Sequence, residues 1–247
     1  MSTAQHFLNT MDPISLAEMD AHALMNRVDT KYVLGAEHLR ELLESVERAY
    51  RVLSVETVRL SAYRTLYFDT RDYECYLQHH NGKLNRRKFR IRQYQSSGAC
   101  FLEVKVKNNK GRTDKRRIPI DRFEESLSLS SQTFIESVTG TLPELIPQLW
   151  SSFSRITLVN RHQPERVTLD LDLDFSDGDA RRDLPDIIIA EVKQERDNRH
   201  SPMREHLRRQ RVRPMRVSKY CLGTVLLKPH LKCNLFKSKL RAIRKIA

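Results

Sequence analysis

The chain has 247 residues, 39% of them hydrophobic, with 44 Lys and Arg against 31 Asp and Glu for a formal net charge of +13. That is enough apolar material for a sizeable core, and the positive balance favours an anionic partner (a phosphate polymer, nucleic acid or an acidic membrane surface) without choosing among them. Cys75, Cys100, Cys221 and Cys233 are scattered, with no CxxC pair and no zinc-ligand spacing, and neither an export signal nor a membrane-length apolar run is found, so disulfides, structural zinc and a spanning helix are argued against and a soluble, cytoplasmic chain is expected.

In chain order, residues 15–26 carry Leu16, Met19, Ala23 and Leu24 at helical spacing, and residues 37–50 repeat the pattern with Leu39, Leu42, Leu43 and Val46. Both predict amphipathic helices. Between them residues 27–34 alternate and stop at Gly35, which predicts a strand whose polar face presents Arg27, Asp29 and Lys31. A further strand is expected over 52–60. Aromatic and β-branched residues predict another over 63–69, running through Thr70-Arg71-Asp72 into a turn and helical start.

Residues 88–94 and 101–107 alternate strictly between charged and apolar side chains, the period of a strand with two unlike faces. Ser96-Ser97-Gly98 between them signals a hairpin. Pairing these strands gathers Lys88, Arg90, Arg92, Lys105 and Lys107 on one surface, where like charges repel unless a polyanion or solvent intervenes. After the loop 108–111, residues 113–120 place Lys115 and Arg117 on one face and Arg116, Ile118 and Ile120 on the other, extending the basic meander.

Residues 122–150 have helical spacing around Phe134, Ile135 and Val138 and read as a helical insertion. Alternation returns over 153–161 and 166–175, the latter with an acidic face of Asp170, Asp172 and Asp174. The apolar run 187–193 inserts Glu191 and Lys193 into a strand that otherwise looks buried. Ser201-Pro202 suits the cap and first turn of a helix reaching Gln210, and residues 217–227 can form another. Residues 228–247 are basic with no acid, and Leu235, Phe236, Leu240 and Ile243 leave open either a short amphipathic helix able to touch a membrane surface or polyanion, or a loosely ordered tail.

Such strands can close in two senses. Charges facing outward make an ordinary barrel with a basic patch; charges facing inward require helices over the apolar faces and give a wet, charged tunnel. The chain offers several covering helices, together with acids on the same faces as the bases. Phosphoryl transfer accounts for that mixture, because Arg and Lys neutralise phosphate oxygens while a few carboxylates hold a divalent cation. Glu191 and Glu103 are the candidate metal ligands, each with the alternative of an ion pair to a neighbouring Lys or Arg.

Arg27-x-Asp29-x-Lys31-Tyr32, Tyr67-Phe68-Asp69-Thr70, Arg90-x-Arg92, Glu103-x-Lys105, Lys115-x-Arg117, Arg166-x-Thr168-x-Asp170, Glu191-x-Lys193 and Ser218-Lys219-Tyr220 follow one another in an order that resembles the VTC (vacuolar transporter chaperone) polyphosphate polymerase domain. That domain is one of the triphosphate tunnel metalloenzymes, with the CYTH branch as relatives. The resemblance runs from about Met25 to Tyr220. It implies an α+β fold, an antiparallel β-barrel with a charged interior covered by amphipathic helices, as a single domain over 1–227 followed by a basic tail over 228–247. It further implies a polymerase that moves the γ-phosphate of ATP onto a growing polyphosphate chain, with Mn2+ or Mg2+. Carried over, Arg90, Arg92, Lys105 and Lys219 are catalytic, Lys31, Lys115, Arg161, Arg166 and Lys193 bind substrate, and Glu191 and Glu103 face the metal. The strand reading Arg27-x-Asp29-x-Lys31 departs from the Glu-x-Glu-x-Lys of the CYTH branch, which argues against a thiamine triphosphatase. With no sensor domain or membrane span in the sequence, regulation and translocation are expected from elsewhere.

Two other readings use the same residues. A tripolyphosphatase admits water in place of the acceptor, and a noncatalytic module holds polyphosphate or RNA. Aromatic residues are only 7% of the chain and do not recur on the basic face, so base stacking and sequence-specific nucleic-acid binding are not expected. The expected partners are ATP and polyphosphate, with a membrane surface or membrane protein as a candidate for the tail.

Overall fold

The computed structural model describes residues 2–21, 27–109, 113–195 and 200–246. In chain order the elements are α1 (Ser2–Thr10), β1 (Pro13–Ile14), α2 (Leu16–Ala21), β2 (Val28–Gly35), α3 (Leu39–Val46), β3 (Tyr50–Leu53), β4 (Ser61–Asp69), α4 (Glu74–His80), β5 (Arg86–Tyr94), β6 (Cys100–Lys107) and β7 (Thr113–Ile120). There follow α5 (Leu129–Thr139), β8 (Ile146–Asn160), β9 (Glu165–Ser176), β10 (Arg181–Leu184), β11 (Ile187–Gln194), α6 (Pro202–Arg209), α7 (Lys219–Leu227) and α8 (Lys237–Arg244). The main sheet runs β2-β11-β9-β8-β4-β5-β6-β7, antiparallel throughout, while the two-residue β1 lies parallel to β3 at its margin.

Helices cover the convex face of this sheet. Leu42, Leu43 and Val46 of α3, with Met203 and Leu207 of α6, pack on Leu34, Leu158, Val167, Leu169 and Val192. Ile135 of α5 seals Leu66, Phe89, Ile91, Leu102 and Val104. The concave face is left to the charged residues, except at one end where α7 enters it and buries Tyr220 and Leu222 among Tyr67, Leu173, Phe175 and Ile189. Gly223 permits that approach, since a Cβ there would stand 2.5 Å from the Phe175 ring. The architecture is the expected α+β tunnel with charges inside and helices outside.

Closure is where the expected barrel needs correction. Among the described residues β7 and β2 do not pair, so the sheet curls without closing by hydrogen bonds. The free edge of β2 is met by the segment before α7, where Pro214 bridges Tyr32 and the Met215 N–H donates to the Lys31 carbonyl at 2.8 Å. Proline has no N–H to donate, so this segment cannot extend into a full ladder.

Other boundaries also shift. The strand expected over 52–60 ends at Leu53, because Glu56 and Thr57 adopt left-handed φ of 48° and 71° in a tight turn bridged by Val55 and Val58. The helical insertion is confined to α5, capped by Ser128 and stopped at Gly140 with φ 71°. Residues 146–150 instead open β8 by pairing with β4. The helix expected over 15–26 is α2 as far as Ala21, and its remainder lies outside the described residues, as do Lys110 and Gly111 of the expected loop. The hairpin at Gly98, φ 70°, and the helices after Ser201 and Ser218 are as expected, each serine hydroxyl accepting a backbone N–H of its helix.

Two further features bear on the site. In β9 the register against β8 slips at Asp172, which sits at φ 51°. A bulge reverses which residues face inward, so Asp170 points into the concavity but Leu173 and Phe175 replace Asp172 and Asp174 there. The acidic face read from alternation is thereby split, and Asp174 pairs with Arg181. The C-terminal segment forms α8 and buries Phe236, just before the helix, and Ile243, within it, in the core. Its apolar face is thus mostly used internally, with Leu235 left exposed.

Candidate functional site

The curled sheet encloses a cavity of about 350 Å³ lined by ten Lys and Arg side chains and four carboxylates. Strand alternation builds it. From β5 come Lys88, Arg90 and Arg92; from β6 Glu103 and Lys105; from β7 Lys115. Across the cavity β2, with the residue before it, supplies Arg27, Asp29 and Lys31, and β11 supplies Glu191 and Lys193. Arg155 of β8, Asp170 of β9 and Ser218-Lys219 at the start of α7 complete the wall. The register explains the grouping: Lys88 stands opposite Lys105, Arg90 opposite Glu103, Lys31 opposite Glu191 and Arg155 opposite Asp170.

Three carboxylates each lie between two cations. Arg90 Nε donates to Glu103 at 2.5 Å while Lys115 donates to its other oxygen. Arg155 engages Asp170 through two N–H groups at 2.5 and 2.8 Å, and Lys219 also donates to Asp170. Glu191 accepts from Lys193 at 2.5 Å and from Lys31. Burial works to raise all three carboxyls, yet the flanking cations outweigh it and hold them well below the usual carboxylate range. Burial in turn pushes Lys219 and Lys115 down to about 8, despite the opposing pull of Asp170 and Glu103.

Lys88, Arg92 and Lys105 differ, for among the described residues none forms an ion pair. Lys88 donates to Ser218 Oγ at 2.8 Å, and Arg92 lies beside the stacked Tyr63 and Phe153 rings, 5.4 and 5.6 Å from their centroids. Lys105 reaches solvent within the cavity. Unlike the ion-paired cations, none of these is in contact with a carboxylate among the described residues, and Lys88 and Lys105 face each other across the ladder, where like charges repel. Ser218 also caps α7, so the Lys88 ammonium is fixed beside that helix start.

Of the residues singled out in the sequence, Lys31, Arg90, Arg92, Lys105, Lys115, Lys193, Lys219, Glu103 and Glu191 meet in this cavity. Arg161 does not. It follows the last residue of β8 and pairs with Asp12 at 2.5 Å, away from the cavity. Arg166 shares the inward phase of Asp170 but lies beyond the lining, where its guanidinium donates to the Met19 carbonyl at 3.0 Å and its Nε is buried without a partner. The cation that β8 does contribute is Arg155, which belongs to none of the charged motifs of the sequence. Its signal was its place in phase with Phe153 and Thr157 on an alternating strand, opposite Asp170. Lys88 and Asp170 were visible in motifs but had no role attached.

A divalent cation finds hard oxygen donors here, but no cluster of three His, Cys, Asp or Glu exists among the described residues. Each inward carboxylate already accepts from two cations. The donor set therefore fits a cation held by one carboxylate and completed by phosphate oxygens and water, the usual arrangement for Mg2+ and similar ions with phosphate ligands, and does not fit an all-protein cage.

The sequence profile of the VTC domain matches residues 26–228. No curated protein matches the chain. Among solved structures, an adenylate cyclase candidate from Vibrio parahaemolyticus is 17% identical with a TM-score of 0.46, covering 81% of this chain and 99% of its own. An adenylyl cyclase candidate from Hippeastrum, described as having a dominant triphosphatase activity, is 15% identical with a TM-score of 0.48, covering 85% and 99%. A third, from Bacillus halodurans, is 13% identical with a TM-score of 0.47, covering 78% and 96%.

Proposed function

The chain belongs to the VTC domain family, and from that membership we propose that it is a polyphosphate polymerase, moving the γ-phosphoryl group of ATP onto a phosphate chain held in the basic cavity. The observation that carries this reading is the excess of ten cations over four carboxylates inside one enclosure, with Lys88, Arg92 and Lys105 lacking acidic partners. A repeating anion is the ligand that can meet so many charges at once.

In this reading Arg90 and Arg92 hold phosphate oxygens from β5, Lys105 and Lys115 from the neighbouring strands, and Lys219 and Arg155 from the opposite wall. The terminal oxygen of the acceptor chain attacks the γ-phosphorus, the bond to the β-phosphate oxygen breaks, and ADP leaves. The attacking oxygen is already anionic, so no general base is required; alignment and neutralisation of charge supply the catalysis. A bound Mn2+ or Mg2+, held by Glu191 or Glu103 with phosphate oxygens, would supply further charge neutralisation at the transferred group. Lys31 and Lys193 hold Glu191 ionised and in place.

Incubation with ATP and Mn2+ followed by a gel stained for polymer tests the proposal. Polymer is expected from the native sequence, and Arg90→Ala and Lys105→Ala are each expected to lower its formation by about 100-fold, the scale of losing one charge-stabilising donor, with the fold checked by circular dichroism. Free phosphate without polymer would assign hydrolysis instead, and binding without turnover would assign a holding module.

A further inference from the structure

Outside the cavity the strongest electrostatic feature is the C-terminal part of the chain. Residues 204–245 contain fourteen Lys and Arg and one acid, Glu205. The fold gathers part of this charge along the seam where the sheet fails to close. The segment that flanks the β2 edge presents Arg211, Arg213 and Arg216 outward, all exposed. Arg211 and Arg213 share an open groove of about 440 Å³ with Lys245, at the end of α8. Glu37 also lines that groove, where it pairs with His38, and among the described residues neither arginine nor Lys245 forms an ion pair.

This surface continues from the cavity. Val217, Ser218 and His79 line the cavity on one side and, on the other, a small pocket to which Arg216 and Lys239 contribute. Lys88, the cavity cation bonded to Ser218, stands on the inner side of that shared wall. Cationic side chains therefore follow one another from the cavity, past the start of α7, to the open groove.

We propose that this seam is an external track for the phosphate chain, which binds the part of the polymer that extends beyond the cavity. The proposal rests on the phosphate-chain reading of the cavity and adds chain-length dependence to it. A short oligophosphate fills the cavity alone, whereas a longer chain also meets the arginines of the seam and releases more counter-ions. Affinity should then rise with chain length and fall more steeply with salt for long chains than for short ones.

The test compares binding of tripolyphosphate and of a long-chain polyphosphate to the full chain, native and carrying Arg213→Glu, Arg216→Glu and Lys245→Glu together. These side chains are exposed, so the fold is expected to survive the exchange. The native chain should bind the long polymer at least about tenfold more tightly than tripolyphosphate, and the variant should lose that advantage and its steeper salt dependence while keeping its affinity for tripolyphosphate. Equal affinity of the native chain for both lengths, or an unchanged long-chain affinity in the variant, would overturn the track. So would a variant that loses binding to phosphatidylserine vesicles but retains the long polymer, since the surface would then face lipid. Failure of the native chain to bind tripolyphosphate would instead contradict the cavity reading, independently of what the seam does.

Discussion

Lys219 joins burial, charge and pH in one side chain. It is paired with Asp170, stacked at 4.3 Å over the Phe153 ring and pushed down to about 8 by burial. Lys115 is pushed to the same value. In the unfolded chain both hold their protons to about 10.4, so between about pH 8 and 10 these two lysines add stability as pH rises, while the Cys75, Cys100 and Cys221 thiols, held above their ordinary value by burial, work the other way. Without ligand, the change in Tm from pH 7.5 to pH 9.5 should therefore be more positive in the native chain than in Lys219→Met, which lacks one of the two lysine contributions. Affinity for tripolyphosphate should move the other way, weakening over that range as the lysines lose the charge that binds phosphate. The same change in Tm in both chains would mean that Lys219 is not desolvated as described. Residue types were legible in the sequence at this scale, but partners were not. Glu103 and Glu191 could each be read as a metal ligand or an ion-pair member, and only the register shows that each already accepts from two cations.

At the scale of elements, the motif Tyr67-Phe68-Asp69-Thr70 ties β4 to two helices. Asp69 is fully buried and accepts from the Thr70 and Cys75 N–H groups at 2.8 Å, from the Tyr76 N–H at 2.9 Å and from the Tyr220 hydroxyl. Tyr220 follows Lys219, so this carboxylate fixes the start of α7 against the sheet. Tyr220→Phe removes one of four donors and should cost about 1 kcal/mol in denaturant unfolding, whereas Asp69→Ala orphans all of them and should cost at least about 3 kcal/mol; equal losses would show that the backbone donors contribute nothing. The bulge at Asp172 gives a second check. At φ 51° a β-branched residue is strained, so Asp172→Val should destabilise by about 1–2 kcal/mol, while Asp172→Gly should be close to neutral. Alternation could not reveal this bulge, because Asp170, Asp172 and Asp174 keep perfect period-2 spacing in the sequence; only the two-for-one pairing with β8 breaks the face. The basic hairpin was legible for the opposite reason, since its alternation is uninterrupted and Gly98 marks its turn.

For the whole molecule, the sequence left open whether the charges face inward or outward. Amphipathic helices decide it. The apolar faces of α3, α5 and α6 cover the outside of the sheet, leaving the concave side to the charges. Closure was not legible in the same way, since the seam depends on Pro214 meeting the β2 edge across a long separation in sequence. Nor could spacing tell Arg155 from Arg161, which occur in one stretch of chain but end on the cavity wall and beside Asp12 respectively. Among the described residues no helix is long and apolar enough to cross a membrane. The central claim is that the cavity holds a phosphate chain, and a crystal structure of the protein with tripolyphosphate tests it most directly. The account predicts phosphate density inside the curled sheet, in contact with Arg90, Arg92, Lys105 and Lys219. Phosphate bound only on the outer surface, with that cavity unchanged, would contradict it.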